Sequence, residues 1–249
     1  MTKSQKDNLF QLVKSLSKSE KRQFKLYVGR LGVNTDSKFL NLFNFLDKAI
    51  TYNEISILEK GGIKKQQLAN VKAHLYKQIL ISLKLSPSHQ NVRSQIREQL
   101  DFASILYHKG LYKQSLKILE KAKEFAILNE EKNLAYEVVE LEKVIESQYI
   151  TRSISNRADE LTIQAKELSA LNVVASKLSN LSLQLYSIIL KSGYVKNKEE
   201  NSYIKNYFYK RLPKYDISQL GFREKLWLYK AYLWYSFLTQ DFLNCYKYA

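Results

Sequence analysis

The residues of this sequence that could bind a metal stand at the wrong spacing. Three histidines, His74, His89 and His108, lie too far apart along the chain for the i, i+4 pair with which a helix holds a metal ion. The single cysteine, Cys245, has no second cysteine near it. We therefore expect neither a metal site nor a cofactor.

Two further patterns resemble catalytic sites but lack the spacing or the surroundings that catalysis requires. The glycine–lysine cluster 61–65 lacks the spacing of a phosphate-binding loop and follows no apolar strand, so it is interpreted as a turn between helices. Acidic residues that could form an acid–base pair stand among lysines, which predicts a solvated helix face instead of a cleft. These residues are Glu130, Glu131, Glu137, Glu140 and Glu142. We predict that the protein is not an enzyme.

A basic window lies in the first part of the chain. No acidic residue occurs between Glu59 and Glu98, and residues 1–93 hold 17 Lys/Arg against 6 Asp/Glu, whereas residues 94–249 hold 23 against 18. A polyanion or an acidic protein surface is the natural partner, although a lysine-rich genome would give the same composition. The residues predicted to form a partner-binding basic face are Lys64, Lys65, Lys77, Lys84, Arg93 and Arg97.

Tyrosines crowd the second half of the chain and are interleaved with lysine and arginine. Such a pattern can stack nucleic-acid bases, but aromatic residues at helical spacing are also expected inside a helical stack, and we favour that interpretation. The tyrosines are Tyr203, Tyr207, Tyr209, Tyr215, Tyr229, Tyr232 and Tyr235.

The elements that position these residues are predicted to be helices throughout. Only 7 glycines and 2 prolines occur in 249 residues, too few turn residues for a sheet protein of this length. The N-terminus has no signal-peptide core, and the longest apolar candidate, Leu226 to Leu238, contains Lys230 and is too short to span a bilayer. One cysteine fits a reducing compartment. We expect a cytoplasmic protein without membrane contact.

Residues 1–88 are predicted to form a basic helical module. A helix through Leu16 is followed by a capping box of Ser17 and Glu20, and a long helix is expected over 64–85. Ser86-Pro87-Ser88 breaks that helix and marks the boundary. The third helix, expected to begin at Asp36 or Ser37, should bury five residues: Phe39, Leu42, Phe43, Leu46 and Ile50.

Residues 89–249 are predicted to form a solenoid of helical hairpins. Turns recur near Gly110, Ser153, Tyr194 and Gln240, separated by 43, 41 and 46 residues. The second and third hairpins are expected over residues 131–171 and 172–212.

The first hairpin resembles a tetratricopeptide repeat in the residues that let its two helices pack closely. The signature positions are Phe102, Ala103, Leu106, Gly110, Tyr112, Ser115, Leu119 and Ala122, with Leu119 in place of the aromatic residue that is usual in the family. Gln99 departs from it, since the family opens with tryptophan, and a partial match begins again at Tyr229. Residues 9–27 also resemble the opening of helical-repeat proteins from Bacteroidetes. These resemblances imply an all-α, helical-hairpin solenoid with a groove for peptides, and no activity.

The last segment is predicted to end inside a repeat. Phe242, Tyr246 and Tyr248 follow helical spacing and belong on a face that a further helix would cover. We expect that the natural chain continues or that this face docks on a partner or on a second copy.

Two functions from different classes fit the sequence. The first is a non-enzymatic protein–protein interaction scaffold whose helical-repeat groove binds a peptide, a helix or an acidic protein surface. The alternative is a nucleic-acid-binding or transcription-regulatory protein, in which the basic module contacts phosphates and the repeats act as a sensor.

Overall fold

The computed structural model describes residues 7–32, 38–60, 62–86, 90–148 and 156–249. These residues contain twelve α-helices, one short 3₁₀ turn and no strand. The all-α prediction is confirmed. The chain divides into two compact units, Met1–Asn91 and Val92–Ala249. Pro87 and Ser88, on which the predicted boundary rests, lie outside the described residues, as do Asp36, Ser37, Gly61 and Ser153.

Unit 1 contains five helices around one apolar core. They are α1 (Asn8–Ser15), α2 (Lys18–Arg30), α3 (Lys38–Lys48), α4 (Glu54–Lys60) and α5 (Lys65–Lys84). Helices α1, α2 and α3 all pack against α5. The core includes Phe24 and Phe43, whose ring centroids lie 4.6 Å apart, together with Leu75 and Ile79 of α5. Helices α1, α2, α3 and α5 each contribute apolar residues three or four positions apart, so one face of each of these helices is buried.

Local side-chain bonds fix the starts of the first two helices. Asp7 Oδ1 accepts a hydrogen bond from Phe10 N at 2.9 Å and begins α1. Ser17 and Glu20 form the predicted capping box, with bonds of 2.7 and 3.2 Å, and begin α2. The prediction that Ile50 faces the core is wrong, because α3 ends at Lys48 and the Ile50 side chain is 94% exposed.

Unit 2 contains seven helices. They are α6 (Val92–His108), α7 (Tyr112–Leu128), α8 (Lys132–Gln148), α9 (Arg157–Ser192), α10 (Lys198–Arg211), α11 (Phe222–Leu238) and α12 (Phe242–Tyr248). Helix α7 packs between α6 and α8, α8 packs against α9, and α9 against α11, which also contacts α12. The 3₁₀ turn Ile217–Gln219 precedes α11. Most helices of this unit therefore contact their neighbours along the chain.

Three connectors in unit 2 have the same backbone geometry. Each has three residues, and each closes with a hydrogen bond from the last residue to a carbonyl five positions earlier: Leu111 to Leu106, Glu131 to Ala126, and Asp241 to Ser236, at 2.8–2.9 Å. The middle residue is left-handed in all three, with φ of 73° at Gly110, 59° at Glu130 and 58° at Gln240. The turns predicted near Gly110 and Gln240 lie at two of these connectors.

The two connectors without glycine are held by long-range bonds. A left-handed conformation is unfavourable for a residue with a Cβ. The Glu130 carboxylate accepts from Phe222 N at 2.9 Å, and Gln240 Nε2 donates to the carbonyl of Val195 at 3.1 Å. These side chains tie each turn to a distant part of the unit, which offsets the local strain.

The predicted division between the second and third hairpins, at residues 171 and 172, is wrong. Helix α9 runs without interruption over 36 residues across that point. The segment contains neither glycine nor proline, so nothing ends the helix before Gly193, whose φ is 70°.

Among the described residues, α9 is also the one helix that is both long enough and apolar enough to cross a membrane. By length and composition alone it could cross a bilayer, a test that the core helix of a soluble protein also passes. The predicted longest apolar candidate, Leu226 to Leu238, lies within α11 and does not pass this test, so the prediction that it is the longest such candidate is wrong. Leu178, Leu181 and Leu185 of α9 are buried in the cores of unit 2.

Candidate functional site

The predicted basic face is divided between the two units. Lys64, Lys65, Lys77 and Lys84 lie at or within α5 of unit 1, and all four are exposed. In unit 2, Arg93 and Arg97 belong to α6. Arg93 forms an ion pair with Glu131 at 2.7 Å, whereas Arg97 is exposed. The six residues therefore do not form one surface on a single unit.

One lysine of the basic window is neutralised inside unit 1. Lys72 of α5 donates to the carboxylate of Asp7 and, at 3.1 Å, to the hydroxyl of Tyr52. Partial burial lowers the pKa of Lys72, but the bonds to Asp7 and Tyr52 outweigh it and hold that pKa above its ordinary value. Lys72 therefore stabilises the unit and is not free to attract a partner.

The residues of the predicted repeat signature meet at the α6–α7 contact. Ser115 Oγ donates to the carbonyl of Ala103 at 2.7 Å, and both residues are buried. Leu119 and Ala122 are buried as well, Leu106 and Tyr112 are half-buried, and Gly110 occupies the left-handed turn position. Phe102 is 44% exposed, so it adds little to the buried contact between the two helices.

The carboxylate of Glu142 does not lie on a solvated face, and that prediction is wrong. Glu142 is fully buried, and its oxygens accept from Lys123 Nζ at 2.7 Å and Arg157 Nη2 at 3.5 Å. Lys123 comes from α7 and Arg157 from α9. Because two cations from neighbouring helices surround the carboxylate, burial does not leave it without a partner.

The two histidines that the structure describes, His74 and His108, each lie against an aromatic ring. The His74 ring lies edge-on to Phe39 with centroids 5.0 Å apart, and the His108 ring lies 5.2 Å from that of Tyr107. His89 lies outside the described residues. Among the residues that the structure describes, no group of three His, Cys, Asp or Glu side chains stands close enough to hold a metal ion.

An open groove between α9 and α11 is lined by three large aromatic residues of unit 2. It has a volume of about 420 Å³ and is lined on the α11 side by Trp227, Lys230 and Trp234, and on the α9 side by Leu183 and Tyr186. The Tyr186 and Trp234 rings lie 4.9 Å apart. The chain has only two tryptophans, and both line this groove.

The groove carries one cation above its aromatic surface. Lys230 Nζ lies 5.0 Å from the centroid of the Trp227 ring. In the described part of the chain no carboxylate pairs with Lys230. An apolar, aromatic surface beside a free ammonium group is suited to a partner that has both apolar and acidic side chains.

Of the tyrosines predicted to lie inside a helical stack, some are half-buried and others are exposed. Tyr232 and Tyr235 are half-buried and pack on Phe208, at 5.1 and 4.4 Å between ring centroids. Burial raises the pKa of both phenols, and a bond between the Tyr232 and Tyr215 hydroxyls, 3.4 Å apart, adds to the effect on Tyr232. Tyr203, Tyr209 and Tyr229 are exposed.

The α9–α11 groove was not predicted from the sequence. The available signal was the pair Trp227 and Trp234, seven residues apart and therefore on one face of a helix. Leu183 and Tyr186, three residues apart, form the matching pair on α9. No protein-family model, curated protein or solved structure matches the chain.

Proposed function

We propose that the protein is a non-enzymatic interaction scaffold whose second unit is a tetratricopeptide-like stack of helical hairpins. The three connectors with one geometry support this proposal, because repeated turns of one kind are expected in a stack built from similar hairpins. So does the burial of Ala103, Ser115, Leu119 and Ala122 at the first hairpin.

The proposed binding site is the groove between α9 and α11. One observation carries it: both tryptophans of the chain line the same open groove, beside Tyr186 and Leu183. Tryptophan and tyrosine are enriched among the residues that dominate binding energy at protein interfaces. The partner is a peptide or helix that places apolar side chains on the aromatic surface and an acidic side chain near Lys230.

The groove can be tested with a displayed peptide library and the full chain. Selected peptides are expected to combine apolar and acidic residues and to change the intrinsic fluorescence of Trp227 and Trp234. Leu183→Asp places a charge in the groove at a side chain that is 66% exposed, and should weaken binding by about tenfold or more. Leu190→Asp is the matched control, since Leu190 lies on the same helix, is 68% exposed and does not line the groove.

Two results would contradict the proposed site. Selected peptides that bind without any change in tryptophan fluorescence would place the site elsewhere. Equal loss of affinity in the Leu183→Asp and Leu190→Asp variants would show that the groove has no special role.

The alternative function, nucleic-acid binding, is supported by the exposed Lys77 and Lys84 of α5. Binding of a labelled duplex at several salt concentrations tests it. If these lysines contact phosphates, the variant Lys77→Glu/Lys84→Glu should lower the slope of log affinity against log salt by roughly two. An unchanged slope would exclude this face as the phosphate contact.

A further inference from the structure

A row of three cations and one leucine runs along the outer side of α2. Lys18, Arg22, Leu26 and Arg30 stand four residues apart, so they follow one another along the helix at intervals of about 6 Å. All four side chains are exposed, and Leu26 is 56% exposed although it lies between two arginines. We call these residues the α2 ridge.

A groove of about 330 Å³ lies beside the ridge, between α2 and the end of α5. Arg22, Leu26 and Arg30 line one side of it, and Leu85, which is 55% exposed, lines the other. Along the α2 side, the exposed Leu26 therefore lies between two guanidinium groups, and the exposed Leu85 lines the opposite side.

The position of α2 on unit 1 is fixed from its inner side. Phe24 and Val28 are buried in the core. Tyr27 Oη donates to Gln78 Oε1 of α5 at 2.9 Å, and Ser86 Oγ donates to Gln23 Oε1 at 3.0 Å. Since these contacts hold the helix in place, the ridge is presented in a preformed arrangement.

Among the described residues, no acidic side chain lines the α2–α5 groove. Asp47 shares a neighbouring groove with Lys18 and Arg22, but its ion pair is with Lys21. Lys21, which also lies on α2, forms an ion pair: its Nζ lies 2.8 Å from Asp47 Oδ1. Within the described ranges no carboxylate forms an ion pair with Lys18, Arg22 or Arg30. The positive potential of the ridge is therefore available to an outside partner.

We propose that the α2 ridge and its groove bind an acidic amphipathic segment of another protein. An apolar side chain of the partner lies on Leu26 and Leu85, and carboxylates on either side of it pair with Arg22 and Arg30. Arginine is suited to this role because its planar guanidinium group binds a carboxylate through two parallel hydrogen bonds. A nucleic-acid backbone would satisfy the cations but would leave the two leucines without an apolar partner.

The surface belongs to unit 1 and is independent of the groove proposed in unit 2. It also differs from the basic face predicted from the sequence, because the residues of that face lie at or within α5 and α6 and do not include Lys18, Arg22 or Arg30.

The test uses the full chain and fluorescence anisotropy with labelled synthetic helical peptides. The first peptide places leucine between two glutamates at i, i+4 and i+8, and the second replaces that leucine by serine. A third probe is a DNA duplex of similar length. The first peptide is expected to bind about threefold or more tightly than the second. The variant Arg22→Glu/Arg30→Glu should weaken binding of the first peptide by about tenfold or more.

Two variants separate the ridge from general charge effects. Lys77→Glu/Lys84→Glu makes the same change in net charge on α5 and should reduce affinity for the first peptide by less than about threefold. Leu26→Ser should remove the preference for the leucine peptide while leaving the glutamate contacts. The circular dichroism and melting temperature of every variant should match those of the original chain.

Several outcomes would overturn the proposal. These are an absence of binding to the first peptide, equal binding of the leucine and serine peptides, and equal loss of affinity in the α2 and α5 variants. Tighter binding of the duplex than of the peptide, lost in Arg22→Glu/Arg30→Glu, would show that the ridge binds nucleic acid instead.

Discussion

The two units use their charged residues in different ways. Unit 1 holds 16 Lys/Arg against 6 Asp/Glu in 91 residues, and the cations of the α2 ridge face outward. Unit 2 holds 24 Lys/Arg against 18 Asp/Glu, and two of its carboxylates, Glu142 and Glu224, are fully buried and paired with lysines from other helices.

An exposed charge mainly affects binding, whereas a buried charge mainly affects stability. An exposed cation gains little from its surroundings, so its removal changes the folding free energy only slightly, while its field still reaches a partner. A buried ion depends on its partner, because the loss of that partner leaves an uncompensated charge in the interior. Substitutions in the two units should therefore separate stability from binding.

The largest expected effect is at Glu142. Glu142→Leu leaves the buried Lys123 without its 2.7 Å partner and should lower the unfolding free energy by about 3 kcal/mol. Urea unfolding followed by tryptophan fluorescence measures this change in unit 2, which contains both tryptophans. The double variant Lys123→Met/Glu142→Leu removes both charges and should recover most of the loss. A single variant as stable as the original chain would show that the pair is not essential.

A smaller loss is expected at Gly221, where two ion-pairing side chains approach the backbone. A Cβ at this position would overlap the Glu130 carboxylate and crowd Lys132 Nζ. The backbone itself tolerates alanine, since φ is −80°. Gly221→Ala should therefore displace Glu130 from Phe222 N and Lys132 from Glu224, and lower the unfolding free energy by about 1–2 kcal/mol.

Gly29 in unit 1 is the control for this substitution. It lies within α2, and a Cβ there would meet nothing within 4 Å. Gly29→Ala should stabilise unit 1 by about 0.5–1 kcal/mol, because alanine loses less backbone entropy in a helix. Urea unfolding followed by circular dichroism measures both variants. If both substitutions change the unfolding free energy in the same direction, crowding at Gly221 is not the cause of the change.

A pH-dependent loss of stability is expected in unit 2 above pH 10. Burial raises the pKa of the Tyr232 phenol above its ordinary value of 10.0. The unfolded chain therefore ionises first, so this contribution is complete below pH 10 and is lost as the pH rises through the raised pKa. The slope from one such group cannot exceed about 1.4 kcal/mol per pH unit.

Tyr232→Phe tests this assignment. The variant should flatten the fall of the unfolding free energy between about pH 9 and pH 11 when urea unfolding is repeated across that range. Tyr246→Phe is the control, since Tyr246 is 88% exposed. Identical pH profiles for the two variants would remove Tyr232 as the source.

The smallest effect on stability is expected for Lys77→Glu/Lys84→Glu in unit 1. Both side chains are exposed, so the unfolding free energy should change by less than about 0.5 kcal/mol. If α5 takes part in attracting an acidic partner, binding to that partner should weaken most at low salt. A loss of stability comparable to that of Glu142→Leu would contradict the contrast between the two units.

Features that depend on residues close together in the chain could be predicted from the sequence alone. The all-helical class follows from apolar spacing and from the scarcity of glycine and proline, and the start of α2 follows from Ser17 and Glu20. The turns at Gly110 and Gln240 and the packing of Ser115 on Ala103 were also visible in the pattern. The start of α2 and the packing of Ser115 on Ala103 depend on contacts within about one helical hairpin, whereas the turn at Gln240 is also held by its bond to the carbonyl of Val195.

Features that depend on residues far apart in the chain could be seen only in the tertiary structure. The sequence around Glu142 is that of a solvated helix face. Glu142 is nevertheless buried, because Lys123 and Arg157 approach it from other helices. The left-handed Glu130 is held by Phe222 N, 92 residues away. The α9–α11 groove likewise requires two helices: the spacing of Trp227 and Trp234 and of Leu183 and Tyr186 indicates one face on each helix, but not that the two faces meet. Local patterns fix helices, whereas the choice of helix neighbours sets which charges are paired and which surfaces remain open.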